Sequence, residues 1–369
     1  MTAGYATFQV QELCDHITAF IQSSAELRSC ALVSHTFASS AQRLLFHDII
    51  LSPGISGIND IYAQHYRDDA AICGRFISVL HASPHLIPLV RRLRVALDER
   101  VVQLSQIKFS HLRDIVFHRN NAGTPQPAND AVCLAVAKMI ALPSIRRLGL
   151  INAIFDNPQS FAQLCLDSTP QLESLFLYCV NVRTHSSDQT SPPARRASIQ
   201  QLQLIDGRPP QWLLNPLSPF DFSQLTNVDL FSMRAMVPIT IALIDGARST
   251  ITRLKLNADF FAKYDQSNLT MLATLPALQH LSVFCHGHLL EDVEMFLALL
   301  PTSNRVEFLE LEINKGGQIT AATWLRLGRA VAAASLPLAP PNPYPDPLSC
   351  VHCGRLSAAE PVANCVRGV

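Results

Sequence analysis

Three short segments carry side chains whose types and spacing suit chemistry. Cys350-Val-His-Cys353 has the spacing of half a zinc site, in which two thiolates grip one ion. Only Cys365 follows it, His352 stands too close to its neighbours to share their ion, and no second pair completes four ligands. Cys285-His-Gly-His288 gathers three further donors without an Asp or Glu at ligand spacing, so it reads as a loop and not as a metal site. Arg195-Arg-Ala-Ser198 has the form of a basophilic kinase site inside a polar insertion, where a phosphate would be accessible. No phosphate-cradling glycine loop, nucleophile elbow or His-Glu-x-x-His helix occurs. The chain therefore reads as no enzyme, with no catalytic, cofactor-binding or metal residues and no cofactor.

Composition narrows the classes further. The 369 residues hold 29 Lys+Arg against 29 Asp+Glu, and 50 leucines within a 48% hydrophobic total. That length buries an ample core. Zero net charge argues against nucleic-acid or anionic-membrane partners, which call for a basic surplus or stripe. The ten cysteines sit mostly in apolar runs, as at Cys30 and Cys165, and show no disulfide framework. No basic-then-apolar leader is visible, and the most apolar stretch, Ala131 to Pro143, is short and carries Lys138. The expectation is an intracellular protein, cytoplasmic, nuclear or both.

The leucines are periodic. Apolar-x-x-apolar-x-apolar recurs with first positions at Val90, Leu112, Ile145, Leu172, Ile199, Leu225, Ile251, Leu278 and Val306. Successive differences are 22, 33, 27, 27, 26, 26, 27 and 28 residues. A tenth copy begins at Phe46, far enough ahead of Val90 for an intervening helix. One such phrase is weak in a leucine-rich chain, but six consecutive intervals of 26–28 residues are not accidental. Alternate apolar positions point the same way along a strand, so each phrase predicts a short strand with an inward face. Helices are expected at Ala131–Leu142, Phe161–Leu166, Ile239–Ala247, Leu269–Leu275 and Glu291–Leu300, with Pro143, Pro170, Pro276 and Pro301 as stop signals.

Period and phrase resemble leucine-rich repeats of the strand-plus-helix kind over about residues 46 to 333. The resemblance implies an α/β solenoid, with parallel strands on the concave face and helices on the convex face, in about nine to ten degenerate repeats. Two departures stand out. The Asn or Cys ladder that usually follows the strand is irregular, with Asn120 and Asn314 in phase but Ala153, Val180, Gly207 and Met233 in its place elsewhere. Polar stretches at Asn120–Pro127 and Thr184–Pro193 read as loops, the second in place of a helix.

Residues 1–45 have a different pattern. Leu13, Ile17, Phe20 and Ile21 share one helical face. Leu27, Cys30, Ala31, Leu32, Val33 and Phe37 suggest a second helix, and Leu44 and Leu45 continue a third segment. Glu12-Leu13, the run from Leu27 to Phe37 and Arg43-Leu-Leu-Phe46 resemble the F-box-like motif in the form common in mushroom-forming fungi. That family's opening Leu-Pro is replaced here by Phe8-Gln-Val-Gln11. The resemblance implies a helical module that binds a Skp-type adaptor of a cullin–RING ubiquitin ligase through Leu13, Ile17, Leu32, Val33 and Phe37. It implies a substrate-recognition subunit of an SCF-type ligase that raises local substrate concentration and performs no chemistry. The alternative is a leucine-rich-repeat interaction scaffold whose F-box recruits no adaptor.

The strand positions flanking the inward leucines should form the binding face. They are Arg92, Arg94, Arg147, Phe176, Tyr178, Asp229, Phe231, Arg253, Lys255, His280, Phe284, Phe308, Glu310 and Glu312. Of these, Arg92, Arg94, Arg147, Phe176, Tyr178, Phe231, Arg253, Phe284 and Phe308 are the candidates for contact with an unknown protein substrate. The face is expected to be basic early, aromatic in the middle and acidic late. Residues 334–369, with six prolines between Pro337 and Pro347, read as a disordered tail.

Overall fold

A computed structural model of the chain describes residues 2–21, 23–51, 69–119, 129–155, 171–182, 196–205, 211–214, 218–231, 237–258, 261, 266–286, 289–301, 305–314, 321–334 and 354–355. It begins with three helices, α1 (Thr2–Ala19), α2 (Ser24–Ala31) and α3 (His35–Leu45). The strand β1 (Asp48–Ile50) leaves α3 directly, and α4 (Asp69–Ala82) and a 3-10 turn (Pro84–Leu89) follow. Then come β2 (Arg92–Ala96), α5 (Arg100–Leu104), β3 (Asp114–His118), α6 (Asp130–Ile140), β4 (Arg147–Ile151) and β5 (Ile154–Phe155). The middle holds β6 (Ser174–Tyr178), β7 (Asn181–Val182), β8 (Ala197–Ser198), β9 (Gln201–Ile205), β10 (Phe220–Asp221) and β11 (Asn227–Phe231). The last part contains α7 (Val237–Gly246), β12 (Arg253–Asn257), α8 (Gln266–Ala273), β13 (His280–His286), α9 (Leu290–Ala298), β14 (Phe308–Asn314), α10 (Ala321–Ala333) and β15 (Gly354–Arg355).

All ten apolar phrases lie on strands of one sheet, in the order β1-β2-β3-β4-β6-β9-β11-β12-β13-β14-β15. Neighbours are parallel as far as β14. Parallel strands need a long return path, and the 26–28-residue period supplies one. Successive strands have the same register, with Arg92 opposite Asp114, Asp114 opposite Arg147 and Arg147 opposite Ser174. One carbonyl before each strand fixes that register by accepting two amides of the next strand. Arg113 O takes Arg146 N and Arg147 N at 2.8 and 3.0 Å, and Thr252 O takes Gln279 N and His280 N at 2.9 Å each. This is the leucine-rich-repeat solenoid fold. At its end β15 adds antiparallel to β14, pairing Ile313 with Gly354, so this part of the expected tail forms a strand.

From β2 to β13 the inward rows are buried, for example Leu93, Ile115, Leu148, Leu175, Leu202, Leu254 and Leu281 in one row. They share a single core with Val136 and Met139 of α6, Leu272 of α8 and Val293, Phe296 and Leu297 of α9. Four of the five expected helices form within a few residues of their expected bounds, and Phe161–Leu166 lies outside the described residues. Between β4 and β11 the described covering layer is built instead from short parallel pairs, β5 with β7 and β8 with β10, and a 3-10 turn (Gln211–Leu214) that buries Leu213. Phe155, Phe220 and Phe222 are buried there and supply the volume that a helix would. Asn152 and Cys179 leave β4 and β6 with positive φ of 53° and 50°, a turn that Asn tolerates and Cys rarely adopts. Asn120–Pro127 and Thr184–Pro193 lie outside the described residues.

The N-terminal helices pack α1 and α2 on α3 around Cys14, Leu27 and Ala41. A polar clamp ties α1 to α3: Gln11 Nε2 donates to Ser40 Oγ at 2.7 Å, and Ser40 Oγ donates to Asp15 Oδ1 at 2.6 Å. Arg43 reaches the other oxygen of Asp15 at 3.0 Å. These bonds hold the Asp15 carboxyl below the usual carboxylate range, Ser40 contributing most. The expected second helix is in fact two. It stops at Ala31, and Ser34 accepts a hydrogen bond from Phe37 N to start α3, so Phe37 sits on the third helix.

The fifth strand position is closed over much of the sheet: His118, Asn257, Phe284 and Glu312 are buried there, while Ile151 and Tyr178 are half-buried. Burial, with Arg100 nearby, lowers the His118 pKa to about 4. Two stability tests follow from this core. Leu202→Ala should cost about 2–5 kcal/mol in urea unfolding, since a buried leucine in mid-sheet leaves a cavity between two neighbours. Above pH about 6.5 His118 is neutral folded or unfolded; below that the unfolded state alone takes the proton until pH falls to about 4. Stability should therefore fall by roughly 3 kcal/mol across that window, and His118→Leu should flatten this part of the profile.

Candidate binding face

The open side of the sheet presents two outward rows, one residue of each from every repeat. The first row reads Asp48, Arg92, Asp114, Arg147, Ser174, Gln201, Asn227, Arg253, His280 and Phe308. The second reads Ile50, Arg94, Val116, Gly149, Phe176, Gln203, Asp229, Lys255, Ser282 and Glu310. A groove of about 340 Å³ runs along both rows from β2 to β11.

The early part of this face is a ladder of alternating sign and not a basic patch. Arg92 donates from Nε to Asp114 Oδ2 at 2.8 Å, which raises its pKa, and lies 3.7 Å from Asp48. Arg147 approaches the same Asp114 oxygen only to 3.5 Å, and Arg94 approaches Asp48 to 3.9 Å. Asp48 and Asp114 are charged positions of this face that sequence reasoning missed. They occupy the variable positions of the phrase, and strand pairing alone sets them beside arginines 22 and 44 residues away. Arg147 keeps 57% of its side chain exposed.

The middle and late parts differ too. Phe176 and Tyr178 are half-buried on β6. Phe231 ends β11 in register with Ile205, and its side chain lies outside the described ones. Phe284 is a correction: it is 5% exposed and meets His286 edge-on at 5.5 Å, so the surface does not offer it to a partner. The row closes at this end of the sheet, where Phe284 lies between buried Asn257 and Glu312 on the neighbouring strands. Phe308 is exposed and stacks on His280 at 4.5 Å and 6°. Burial and the nearby Arg253 lower the His280 pKa.

The acidic end is internally paired. Lys255 Nζ bonds Glu312 Oε1 at 2.9 Å, reaching from β12 past the intervening β13 to β14. Burial would lower the Lys255 pKa, but Glu312, with Asp229 and Glu310, more than offsets that and raises it. Gln203 Nε2 donates to Asp229 at 3.0 Å beside this cluster.

The weaker motifs separate in space. Cys285 is fully buried in the core while His286 is the next strand residue and points to the opposite face, so the two do not converge. Gly287 and His288, like Cys350, His352, Cys353 and Cys365, lie outside the described residues. Among the described residues no group of three metal-ligating side chains occurs. Ser198 is half-buried in β8 opposite Asp221, between buried Ala197 and Ile199, in place of the accessible loop expected for a kinase site.

On the N-terminal module the apolar residues away from its core are open. Leu13 and Ile17 on α1 are 58% and 42% exposed, Phe20 just past its end is 73% exposed, and Leu32 and Val33 at the α2–α3 turn are 88% and 72% exposed. Phe37 is half-buried. No described helix is long and apolar enough to cross a membrane.

No family model matches the chain, and no curated protein matches it. Among solved structures it is similar to the leucine-rich repeat-containing protein LegL7 from Legionella pneumophila, at 14% identity and a TM-score of 0.41, over 80% of this chain and 94% of that one.

The late ion pair generates a test. Glu312→Gln leaves the Lys255 ammonium among fewer carboxylates in a largely buried setting and should cost about 2 kcal/mol in chemical denaturation. Replacing both partners with apolar residues, Lys255→Met with Glu312→Leu, should recover most of that loss.

Proposed function

We propose that the chain is a protein-interaction receptor whose repeat face holds a target protein while its N-terminal helices dock on a Skp-type adaptor of a cullin–RING ubiquitin ligase. The observation that carries the adaptor half is the set of exposed apolar residues Leu13, Ile17, Phe20, Leu32 and Val33 on a module whose own core is already filled. Five large apolar side chains left open on one small helical module are costly in water unless a partner covers them. They include four of the residues that the F-box resemblance assigns to the adaptor. The long open sheet supports the target-binding half, since a solenoid presents an extended surface and no closed, water-excluding pocket.

A scaffold without a ligase role is favoured by one observation. Helix α1 runs unbroken from Thr2 to Ala19 through Phe8-Gln-Val-Gln11, where the F-box family opens its helix with Leu-Pro. Co-expression with a Skp-type adaptor separates the two. The ligase reading expects a stable complex that Leu13→Asp, Ile17→Asp and Val33→Asp each weaken by about tenfold or more, as central apolar contacts do. A chain that co-purifies with no Skp-type adaptor while remaining folded is the scaffold.

A further inference from the structure

A third row of side chains runs along one rim of the sheet, one residue before the first outward row. It begins His47, Arg91, Arg113, Arg146 and Glu173, the residues whose carbonyls accept the register bonds. None of the five is buried. Amide-to-carbonyl contacts of 2.8 Å, from Arg113 to Arg91 and from Arg146 to Arg113, set the three arginines side by side. Neighbouring strands lie about 5 Å apart, so the stripe is about 10 Å long. The open face is charge-alternating over these same strands, whereas the rim is basic without interruption until Glu173.

That charge is poorly answered within the chain. Arg91 and Arg113 have neither an ion pair nor a side-chain hydrogen bond among the described residues. Arg146 Nη1 donates to Pro143 O at 3.0 Å and Ile145 O at 3.1 Å, and its Nε lies 3.6 Å from Glu173. The nearby acids of the open face, Asp48 and Asp114, are taken by Arg92, Arg94 and Arg147. Lys108 and His111, exposed on the loop into β3, add to the positive side. Like charges directly opposite on adjacent strands are destabilising. Further along, the rim satisfies itself: Thr226 and Thr252 donate their hydroxyls to Gln200 O and Thr226 O at 3.2 Å each.

We propose that this rim receives an acidic segment of a partner protein, a run of Asp and Glu whose carboxylates pair with Arg91, Arg113 and Arg146. A guanidinium and a carboxylate match as a two-pronged pair. A line of single charges suits the stripe better than one phosphate. Arg146 is tied back to its own loop and drawn toward Glu173, so its guanidinium does not converge with the other two on one point. A protein suits it better than a nucleic acid, since no Phe, Tyr or Trp stands among these rim residues to stack a base, and Glu173 ends the stripe after three arginines. No three acids stand consecutively in this chain, so the segment comes from another. The proposal rests on the reading that the repeat domain holds a protein target. It names the chemistry of that target and places it on the rim, and it does not depend on adaptor binding.

The test is selection of displayed random linear peptides on the purified full-length chain, followed by anisotropy titration of the enriched sequences. The expected result is enrichment of closely spaced Asp and Glu, with binding lost when those acids are changed to Asn and Gln. Arg91→Gln and Arg113→Gln should each weaken the peptides by about tenfold, the scale of one charge-assisted contact. Each removes a like charge from the stripe and should not lower the melting temperature. Arg113 is the more exposed of the two, so Arg113→Gln decides the matter if Arg91→Gln is unstable. Arg94→Gln on the open face and Arg329→Gln on α10 should leave affinity unchanged. No acidic enrichment, tighter binding of a singly phosphorylated peptide or of a single-stranded oligonucleotide, or an Arg113→Gln variant that binds as well as the parent overturns the proposal. Peptides that are lost on Arg94→Gln and kept on Arg113→Gln leave the target-holding reading in place and sink only this inference. A chain that enriches no peptide and captures no protein counts against that reading as well.

Discussion

Everything in the repeat domain depends on the equal register of its parallel strands. Each strand starts level with its neighbour because one carbonyl before it accepts two amides from the next. With no offset, position matches position from β1 to β14, and every residue of the repeat phrase becomes a row across the molecule. The inward rows must then be apolar throughout, since a polar residue there would face other leucines and no water. The outward rows have no such constraint, and their composition is free to encode a surface.

That freedom produces the charge pattern. A chain with equal numbers of acids and bases could have separated them into patches, as its order of arginines and glutamates suggests. Instead the strands bring Asp48 and Asp114 between Arg92, Arg94 and Arg147, and set Lys255 among Asp229, Glu310 and Glu312. The exposed arginine–aspartate pairs add little stability each. Their effect is to leave the face nearly neutral over most of its length, so the few places where compensation is incomplete stand out electrostatically.

The strands were legible because alternation and a steady period are properties of local sequence. So were the helices that follow apolar runs ended by proline, such as α6 before Pro143 and α8 before Pro276. The break between α2 and α3 was also legible in principle, since Ser34 is a strong helix starter placed inside an otherwise continuous apolar run. What escaped was everything that depends on partners far along the chain. Asp114 is an unremarked polar residue until β3 lies between β2 and β4. Phe284 reads as a surface aromatic until β12 and β14 set buried Asn257 and Glu312 on either side of it. The clamp of Gln11, Asp15, Ser40 and Arg43 joins residues 25 to 29 apart with no periodic signature. Adjacent Cys285 and His286 look like a cluster on paper and are separated by the pleat.

Repeat arrays are held by contacts between adjacent units and so tend to fray from their ends, where a unit has a neighbour on one side only. The bond from Lys255 to Glu312 skips a strand, tying the units of β12 and β14 together across β13. To peel β14 away, the array must also separate the buried Glu312 carboxylate from its counter-charge two units inward. One bond across β13 thus couples opening of the β14 unit to the β12 unit, a restraint against unzipping that nearest-neighbour contacts alone would lack.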